Sequence, residues 1–198
     1  MCEGDSEIEG LDESDSHLCL KCTPPVALDV TRPQTVLTHI GAHILHDSTI
    51  ARDDQPCGLC CRAFPMCHFV LKKTGDGVSV NLNASHGCPN FVKRFNYGSA
   101  EKSSKKSPCS NVPLRCPECD SKAPAAWRYN LKYHLMRAHP GVSVGRYKHL
   151  WELDRSEVEL MRTVWQKIKD QPNKKKPAKK VRPILKISTA HSSSLALV

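Results

Sequence analysis

Long apolar runs are absent from this chain of 198 residues, and aromatic residues make up only 6% of it. No stretch approaches the roughly 20 consecutive apolar residues that a membrane-spanning helix needs. The first residues contain no apolar run, so we expect no secretory signal peptide. So few aromatic side chains also argue against one large hydrophobic core. The sequence therefore predicts several small modules, in an intracellular setting and without a membrane partner.

Basic residues are missing from the first 20 positions, whereas the far end of the chain is rich in them. Residues 1–20 carry seven acids and no Lys or Arg, while residues 167–186 carry nine Lys or Arg and one Asp. Segments of one charge sign with little apolar content generally stay unfolded. We therefore expect an acidic disordered head over residues 1–16 and a basic disordered tail over 170–198. Such a tail attracts phosphate backbones and is typical of nuclear-import signals.

Cysteine and histidine, by contrast, are plentiful, at eleven and ten residues. In reducing compartments, clustered cysteines bind metal more often than they form disulfides. Small modules that bury little apolar surface often depend on a structural metal. The spacing of these two residue types is therefore the main guide to the fold.

The clearest pattern lies in residues 115–139. Cys116 and Cys119 are followed, after fourteen residues, by His134 and then by His139. Two thiolates from one tight turn and two imidazoles from one helix face form a tetrahedral donor set that suits zinc. Apolar residues at helical spacing precede a stop signal at Pro140-Gly141, namely Trp127, Leu131, Leu135 and Ala138. We predict a zinc-binding module over residues 115–140.

This segment resembles the classical C2H2 zinc finger, and Leu131 lies three residues before the first histidine as in that family. Its Cys-to-His spacing is two residues longer than the family's usual spacing of about twelve. The resemblance implies a ββα fold more strongly than it implies DNA reading. A wider part of the chain, from HIGAHILHD through CGLC to WRYNLKYH and YKHLWEL, resembles uncharacterised zinc-finger proteins of basidiomycete fungi.

Residues 17–46 predict a second C2H2-like finger. Val36 occupies the place, three residues before the first histidine, that Leu131 holds in the later finger. Thr31 and Gln34 form a capping box, and Pro33 lies in the first helical turn. The predicted ligands are Cys19, Cys22, His39 and His43. His46 remains an alternative to His43, and an exposed cysteine pair beside a histidine-rich helix remains an alternative to a metal site.

Residues 57–109 predict a Cys-rich β-hairpin module that ends in a flexible basic linker over 98–108. The runs HFVLKK and VSVNL have strand character on either side of Gly75-Asp76-Gly77, which is a hairpin signal. One zinc site would join the two ends of this hairpin through Cys57, Cys60, Cys88 and Cys109. Alternatives stay open: Cys67 in place of either distal cysteine, a histidine ligand (His46, His68 or His86), or Cys61 and Cys67 as buried apolar side chains.

Residues 145–169 predict an amphipathic helix, with its main part at 157–169. Ser156 and Glu159 form a capping box before that part. Apolar side chains near helical spacing form a stripe, namely Tyr147, Leu150, Trp151, Met161, Val164, Trp165 and Ile168. Such a stripe usually packs in a core, here on the finger, and less often forms a face for a protein partner.

The sequence lacks residues that two known catalytic or cofactor-binding motifs require. The run Pro56–Cys60 matches half of the zinc-deaminase signature, but no Glu lies between residues 14 and 100 to act as its acid/base. Haem attachment needs His after Cys-x2-Cys, and Thr23, Cys61 and Asp120 stand there instead. A zinc ion with four protein ligands also keeps no open position for water. We therefore expect no catalysis and no small-molecule substrate.

Nucleic-acid binding is the function that these patterns favour. If the later finger docks classically, its base-reading positions are Trp127, Asn130 and Tyr133, of which Asn130 suits adenine and Trp127 is expected to pack inside. Arg128 and Lys132 would contact phosphates. The corresponding positions in the earlier finger, counted back from its first histidine His39, are Arg32, Thr35 and Thr38. Of these, Arg32 suits guanine.

The sequence as a whole predicts small α+β zinc-stapled modules: two C2H2-like ββα fingers, a Cys-rich hairpin and an amphipathic helix, between disordered ends. We expect a nuclear zinc protein that binds nucleic acid with modest sequence specificity. DNA is favoured over RNA by the resemblance alone. The alternative is a zinc-stabilised protein-interaction or scaffolding module.

Overall fold

The computed structural model describes residues 17–74, 77–92 and 95–171. The predicted acidic head and all but the first two residues of the predicted basic tail lie outside the described residues. Within the described part of the chain, none of the helices combines the length and apolar character that a membrane crossing requires. The elements are short antiparallel hairpins and four helices, as expected for an α+β fold.

The chain begins with a hairpin followed by a helix. Strands β1 (Leu18–Cys19) and β2 (Val26–Ala27) pair antiparallel, and α1 spans Pro33–His46. The helix buries an apolar face made of Val36, Leu37, Ile40, Ala42 and Ile44.

The capping box predicted at the start of α1 does not form. The N-cap is Arg32, without a side-chain hydrogen bond. The Thr31 hydroxyl donates to Asp29 Oδ1, and the Gln34 amide donates to the Cys109 carbonyl at 3.1 Å. Both side chains that the box requires are therefore engaged elsewhere, Thr31 in a local turn and Gln34 in a tertiary contact.

The second hairpin is confirmed. Strands β3 (Leu71–Thr74) and β4 (Gly77–Val80) pair antiparallel, with Leu71 opposite Val80, and an isolated bridge joins His68 to His86. The residues at the centre of the predicted turn, 75 and 76, lie outside the described residues.

The predicted linker has fixed contacts. A 3-10 turn at Tyr97–Ala100 buries both of its terminal side chains. The Ser103 hydroxyl donates to the Pro108 carbonyl at 2.8 Å. The buried residues 108–113 then lead into the third hairpin.

The third hairpin again precedes a helix. Strands β5 (Pro113–Leu114) and β6 (Ala126–Trp127) pair antiparallel, and α2 spans Arg128–Ala138. A 3-10 turn at Val144–Tyr147 leads into α3 (Lys148–Trp151), and α4 spans Arg155–Asp170.

The predicted amphipathic helix is thus broken between α3 and α4. The capping box of Ser156 and Glu159 is not used, because Asp154 is the N-cap and has no side-chain cap bond. Glu159 instead pairs with Arg155 at 3.1 Å.

The segments predicted as separate modules pack against one another. Helix α4 lies on α1, and one continuous core combines the helix α1, the cysteine-rich segment, Trp127, Tyr129 and Met161. A smaller cluster around Leu131 and Leu135 packs against residues of the 3-10 turn and α3, namely Val144, Tyr147, Leu150 and Trp151. The apolar stripe is therefore mostly packed against the rest of the chain.

Candidate metal centres

Three groups of four Cys and His side chains converge in the structure. In each group, one ligand atom per residue lies within 4.8 Å of the others. The groups are Cys19, Cys22, His39 and His43; Cys57, Cys60, Cys67 and Cys88; and Cys116, Cys119, His134 and His139. We call them the first, second and third clusters.

The first cluster is built by the β1–β2 hairpin and one face of α1. Cys22 Sγ lies 3.4 Å from His39 Nε2 and 3.2 Å from His43 Nε2, while Cys19 Sγ lies 3.6 Å from His43 Nε2. Of the two histidines that the sequence left as alternatives, His43 joins this cluster beside His39, and His46 does not. His46 Nε2 is buried without a hydrogen-bond partner among the described residues.

The thiols of the first cluster cannot both ionise unaided. Burial alone would raise the pKa of Cys19, but hydrogen bonds from His39 and His43 outweigh it and lower that pKa to about 5. Burial, together with the neighbouring Cys19, raises the pKa of Cys22 to about 12. A second thiolate would therefore need a further positive charge, which a divalent cation supplies.

A carboxylate orients the buried histidine of this cluster. His43 Nδ1 lies 2.9 Å from Asp47 Oδ2, with the imidazole 1% and the carboxylate 10% exposed. This contact leaves Nε2 pointing at the two thiols. Carboxylate–histidine pairs of this kind fix the tautomer and orientation of a metal-binding imidazole.

The third cluster repeats this arrangement with the β5–β6 hairpin and α2. Cys119 Sγ lies 3.3 Å from His134 Nε2 and 3.2 Å from His139 Nε2, and Cys116 Sγ lies 3.5 Å from His139 Nε2. His134 Nδ1 lies 2.9 Å from Gln55 Oε1, so a residue of the preceding segment orients this imidazole.

The second cluster differs in one member from the set predicted first from sequence. Cys57, Cys60 and Cys88 are joined by Cys67, which was the alternative, and Cys109 is elsewhere. Cys57 Sγ lies 3.8 Å from Cys88 Sγ, and Cys60 Sγ lies 3.4 Å from Cys67 Sγ.

Cys109 occupies the main core instead. Its side chain is fully buried, and its Sγ donates to the Leu37 carbonyl at 3.2 Å. A Cβ placed on Gly41 would lie 2.7 Å from this sulfur. Cys109 therefore fills the space that the glycine inside α1 leaves, and burial raises its pKa to about 12.

Two thiols of the second cluster differ in acidity. Hydrogen bonds from Cys57, Cys67 and Cys88 hold the pKa of Cys60 far below its usual value. Burial raises the pKa of Cys57 well above its usual value. A bound cation would favour the thiolate form of such a buried cysteine.

The separations in all three clusters suit a tetrahedral metal ion. Ligand bonds of about 2.0–2.3 Å imply ligand–ligand distances of about 3.3–3.8 Å around a tetrahedral zinc ion. The sulfur–nitrogen and sulfur–sulfur distances given above run from 3.2 to 3.8 Å, and all ligand atoms of a cluster lie within 4.8 Å of one another. Thiolate and imidazole donors in this geometry fit zinc.

The base-reading positions predicted on α2 are covered by the chain itself. Asn130 is 1% exposed, and its amide donates to the Pro56 carbonyl at 2.7 Å. The Arg52 guanidinium lies 5.5 Å from the centre of the Tyr133 ring. Trp127 is buried, as expected. Asn130 and Trp127 are therefore closed to a base edge, whereas the half-buried Tyr133 lies beside Arg52.

The other predicted nucleic-acid contacts differ in accessibility. Arg128 is half-buried and donates to the carbonyls of Glu101 and Glu152. Lys132 is exposed, with its ammonium 5.2 Å from the Trp151 ring centre. Arg32 is exposed and lies 3.6 Å from Asp29. Lys132 and Arg32 remain open to a phosphate.

Sequence reasoning missed the residues that orient the clusters. Asp47 lies four residues after His43 on the same helical face, so that spacing could have identified it. Gln55 lies 79 positions from His134, and no local pattern indicates it.

No protein-family model, no curated protein and no solved structure matches this chain.

Proposed function

We propose that the three clusters hold structural zinc ions. The first and third would be C2H2-type sites, each formed by a hairpin and the helix that follows it, and the second a four-cysteine site. The support is the close agreement between the ligand separations and a zinc tetrahedron in all three. Each set provides four protein ligands and keeps no position for a reacting water, so the protein acts without catalysis.

Zinc content tests this proposal. The purified, reduced protein should carry three zinc ions per chain. Cys67→Ser should remove one of them, because a serine hydroxyl is a poor substitute for a thiolate. Cys109→Ser is the matched control, since it changes a buried cysteine outside the clusters, and it should keep all three. Full zinc in the Cys67 variant, or a loss in the Cys109 variant, would overturn the ligand assignment.

We further propose that the protein binds nucleic acid, DNA by preference, in the nucleus, through phosphate contacts. Its net charge is +9, and two basic side chains are exposed beside the proposed zinc ligands, Lys132 on α2 and Arg32 at the N-cap of α1. The basic residues 172–198, outside the described part of the chain, would add to this attraction. Because Asn130 and Tyr133 face residues 52–56, base reading by α2 contributes nothing to this mode of binding.

A salt titration tests this binding mode. Two unrelated duplexes of equal length should bind with similar affinity, and log K should fall with log salt by about 0.9 per phosphate contacted. Lys132→Ala should reduce that slope by about one contact. Met136→Ala, one turn further along α2 and exposed, is the matched control and should leave the slope unchanged. Strong preference for one duplex would contradict the proposal.

A protein-interaction module is the second candidate, and one observation favours it. The base-reading face of α2 is covered, while large apolar side chains such as Leu20 and Met66 are exposed by 75% and 62%. Binding through such side chains would persist at high salt, whereas phosphate contacts weaken steeply. Loss of all nucleic-acid affinity at moderate salt, beside a salt-resistant protein complex, would favour this second function.

A further inference from the structure

The imidazoles of the first and third clusters are oriented by residues from different parts of the chain. In the first cluster, the carboxylate that faces His43 belongs to Asp47, the C-cap of the same helix. In the third cluster, the side chain that faces His134 belongs to Gln55, which lies two residues before Cys57 of the second cluster. The third cluster therefore takes an orienting contact from the segment that carries a ligand of the second.

The contact between Gln55 and His134 fixes the state of the imidazole. An amide oxygen only accepts hydrogen bonds, so His134 Nδ1, which lies 2.9 Å from Gln55 Oε1, carries the proton. The unprotonated Nε2 then faces Cys119 Sγ at 3.3 Å, as a metal ligand requires. Burial and the nearby His139 lower the pKa of His134, which favours this neutral form.

The backbone of Gln55 depends on the residues around it. Its φ of +50° lies in the left-handed region, which is uncommon for residues other than glycine. Its N–H donates to the Arg52 carbonyl at 2.9 Å, and the next carbonyl, that of Pro56, accepts from the Asn130 amide at 2.7 Å. Such a conformation persists only where neighbouring contacts hold it.

The segment after Gln55 is attached to the second cluster. Cys57 is 3% exposed, and its N–H donates to the Arg62 carbonyl at 2.8 Å. Its sulfur lies 3.8 Å from that of Cys88, and thiols form only weak hydrogen bonds with one another. A metal ion in the second cluster would replace these weak contacts with ligand bonds and would fix the backbone two residues from Gln55.

We propose that metal binding at the second cluster strengthens metal binding at the third, and that Gln55 transmits this coupling. The metal fixes residues 55–57, and Gln55 then holds the His134 imidazole with Nε2 toward the third site. The coupling is reciprocal, as linked binding equilibria must be. The first cluster lies outside this route, because Asp47 caps the helix that carries His43. The coupling rests on the proposed zinc sites and adds a dependence between two of them.

The zinc affinity of a Cys67→Ser variant tests the coupling. This substitution removes a ligand of the second cluster and leaves residues 55–57 unchanged. Competition between the full chain and a chelator for zinc, followed by the amide signals of α1 and α2, reports on the first and third clusters separately. Affinity at the third cluster should fall by about tenfold or more, and affinity at the first should fall by less. Cys109→Ser is the matched control and should leave the third cluster unchanged.

Two substitutions of matched length isolate the hydrogen bond. Gln55→Met removes the acceptor oxygen and should lower affinity at the third cluster by about tenfold or more, whereas Gln55→Glu keeps an acceptor and should retain it. The Nδ1–H signal of His134 should be protected from exchange with water in the wild type and the Glu variant, and unprotected in the Met variant. Adding Cys67→Ser to Gln55→Met should cause no further loss at the third cluster, because both changes remove the same contact.

Three outcomes would overturn the coupling. The Cys67→Ser variant could keep full affinity at the third cluster, or it could lose equal affinity at the first and third, which would indicate general destabilisation. The losses from Cys67→Ser and Gln55→Met could also be additive. Any of these results in a wild type that carries three zinc ions would reject the coupling alone. A wild type with fewer zinc ions would reject the zinc assignment together with the coupling.

Discussion

At Gly58 the backbone passes so close to the indole of Trp127 that no side chain fits between them. A Cβ built there would lie 2.3 Å from a ring carbon of Trp127. This contact lets the turn between Cys57 and Cys60 pack on Trp127, the last residue of β6. The glycine in the second cysteine pair therefore serves packing between two modules.

Gly58→Ala should destabilise the zinc-loaded protein by about 1–3 kcal/mol, because the added methyl group forces the indole or the turn to move. Gly141→Ala is the matched control, since a Cβ at Gly141 would meet nothing within 4 Å. The Gly141→Ala substitution should change the free energy of unfolding by no more than about 0.5 kcal/mol. Denaturant unfolding measures both, and equal stability of the two variants would contradict this account of the packing.

Asp47 should control the zinc affinity of the first cluster. Asp47→Asn removes the charge that faces His43 Nδ1, so affinity at this cluster should fall by about 10–100-fold. Asp120→Asn is the control, because within the described residues the Asp120 carboxylate accepts the Lys122 backbone N–H and forms no hydrogen bond to a histidine of the third cluster. A chelator titration followed by the amide signals of α1 and α2 distinguishes the clusters. Equal loss at both clusters would argue against a local role for Asp47.

Among the elements, α4 has the most unexpected position. The apolar stripe predicted it to pack on the later finger, yet it lies on α1 of the earlier one. Met161 contacts the Gly41 side of α1, and the Trp165 ring lies 4.9 Å from the His43 ring centre. The helix that follows the third cluster therefore supports the first.

A buried carboxylate connects α4 to α2 and to the segment that precedes β5. Glu157 is 2% exposed, and its Oε1 accepts from the Ser110 N–H at 2.9 Å, the Ser110 hydroxyl at 2.6 Å and the Tyr129 hydroxyl at 2.6 Å. These three donors compensate for the loss of water around the carboxylate.

Glu157→Ala should cost about 3–5 kcal/mol of stability, because three buried donors lose their acceptor and a cavity forms. Glu159→Ala is the matched control on the same helix. It removes an exposed ion pair with Arg155, worth about 0.5 kcal/mol or less. Thermal and denaturant unfolding compare the two. A small effect at Glu157 would mean that packing alone holds α4 in place.

For the whole molecule, packing and side-chain contacts connect the three clusters. Ligands of the first and second clusters share the main hydrophobic core, and Leu114 packs against both that core and the smaller one around the third cluster. Side chains also cross between modules, as Gln55 does to His134. Loss of one cluster should therefore weaken the others.

Removal of zinc by a strong chelator should unfold the described structure in one transition, since structural zinc contributes directly to folding free energy. Helix content from circular dichroism and tryptophan fluorescence should change together. Chelator saturated with zinc beforehand is the control and should have no effect. Separate transitions for the two signals would show independent modules.

The sequence by itself determined the local features of this protein. The Cys-x2-Cys pairs, the helical spacing of the histidines and the strand character around residues 71–80 predicted three clusters and their secondary structure. The first and third clusters are local, because ligands within about 25 residues on a hairpin and the following helix can converge without help from distant residues. Eleven of the twelve clustered residues were named from spacing, and Cys67 was the alternative for the twelfth.

Only the tertiary structure decided which surfaces remain open. The sequence placed Asn130 at a base-reading position, but its amide bonds to Pro56, 74 residues away. Cys109 and Cys67 have the same side chain, and the sequence offered both as ligands. Packing against Gly41 places Cys109 in the core, whereas Cys67 joins the second cluster. Such choices depend on contacts between residues far apart in sequence, which no local spacing encodes. They determine whether a helix that carries the clustered histidines can face a partner.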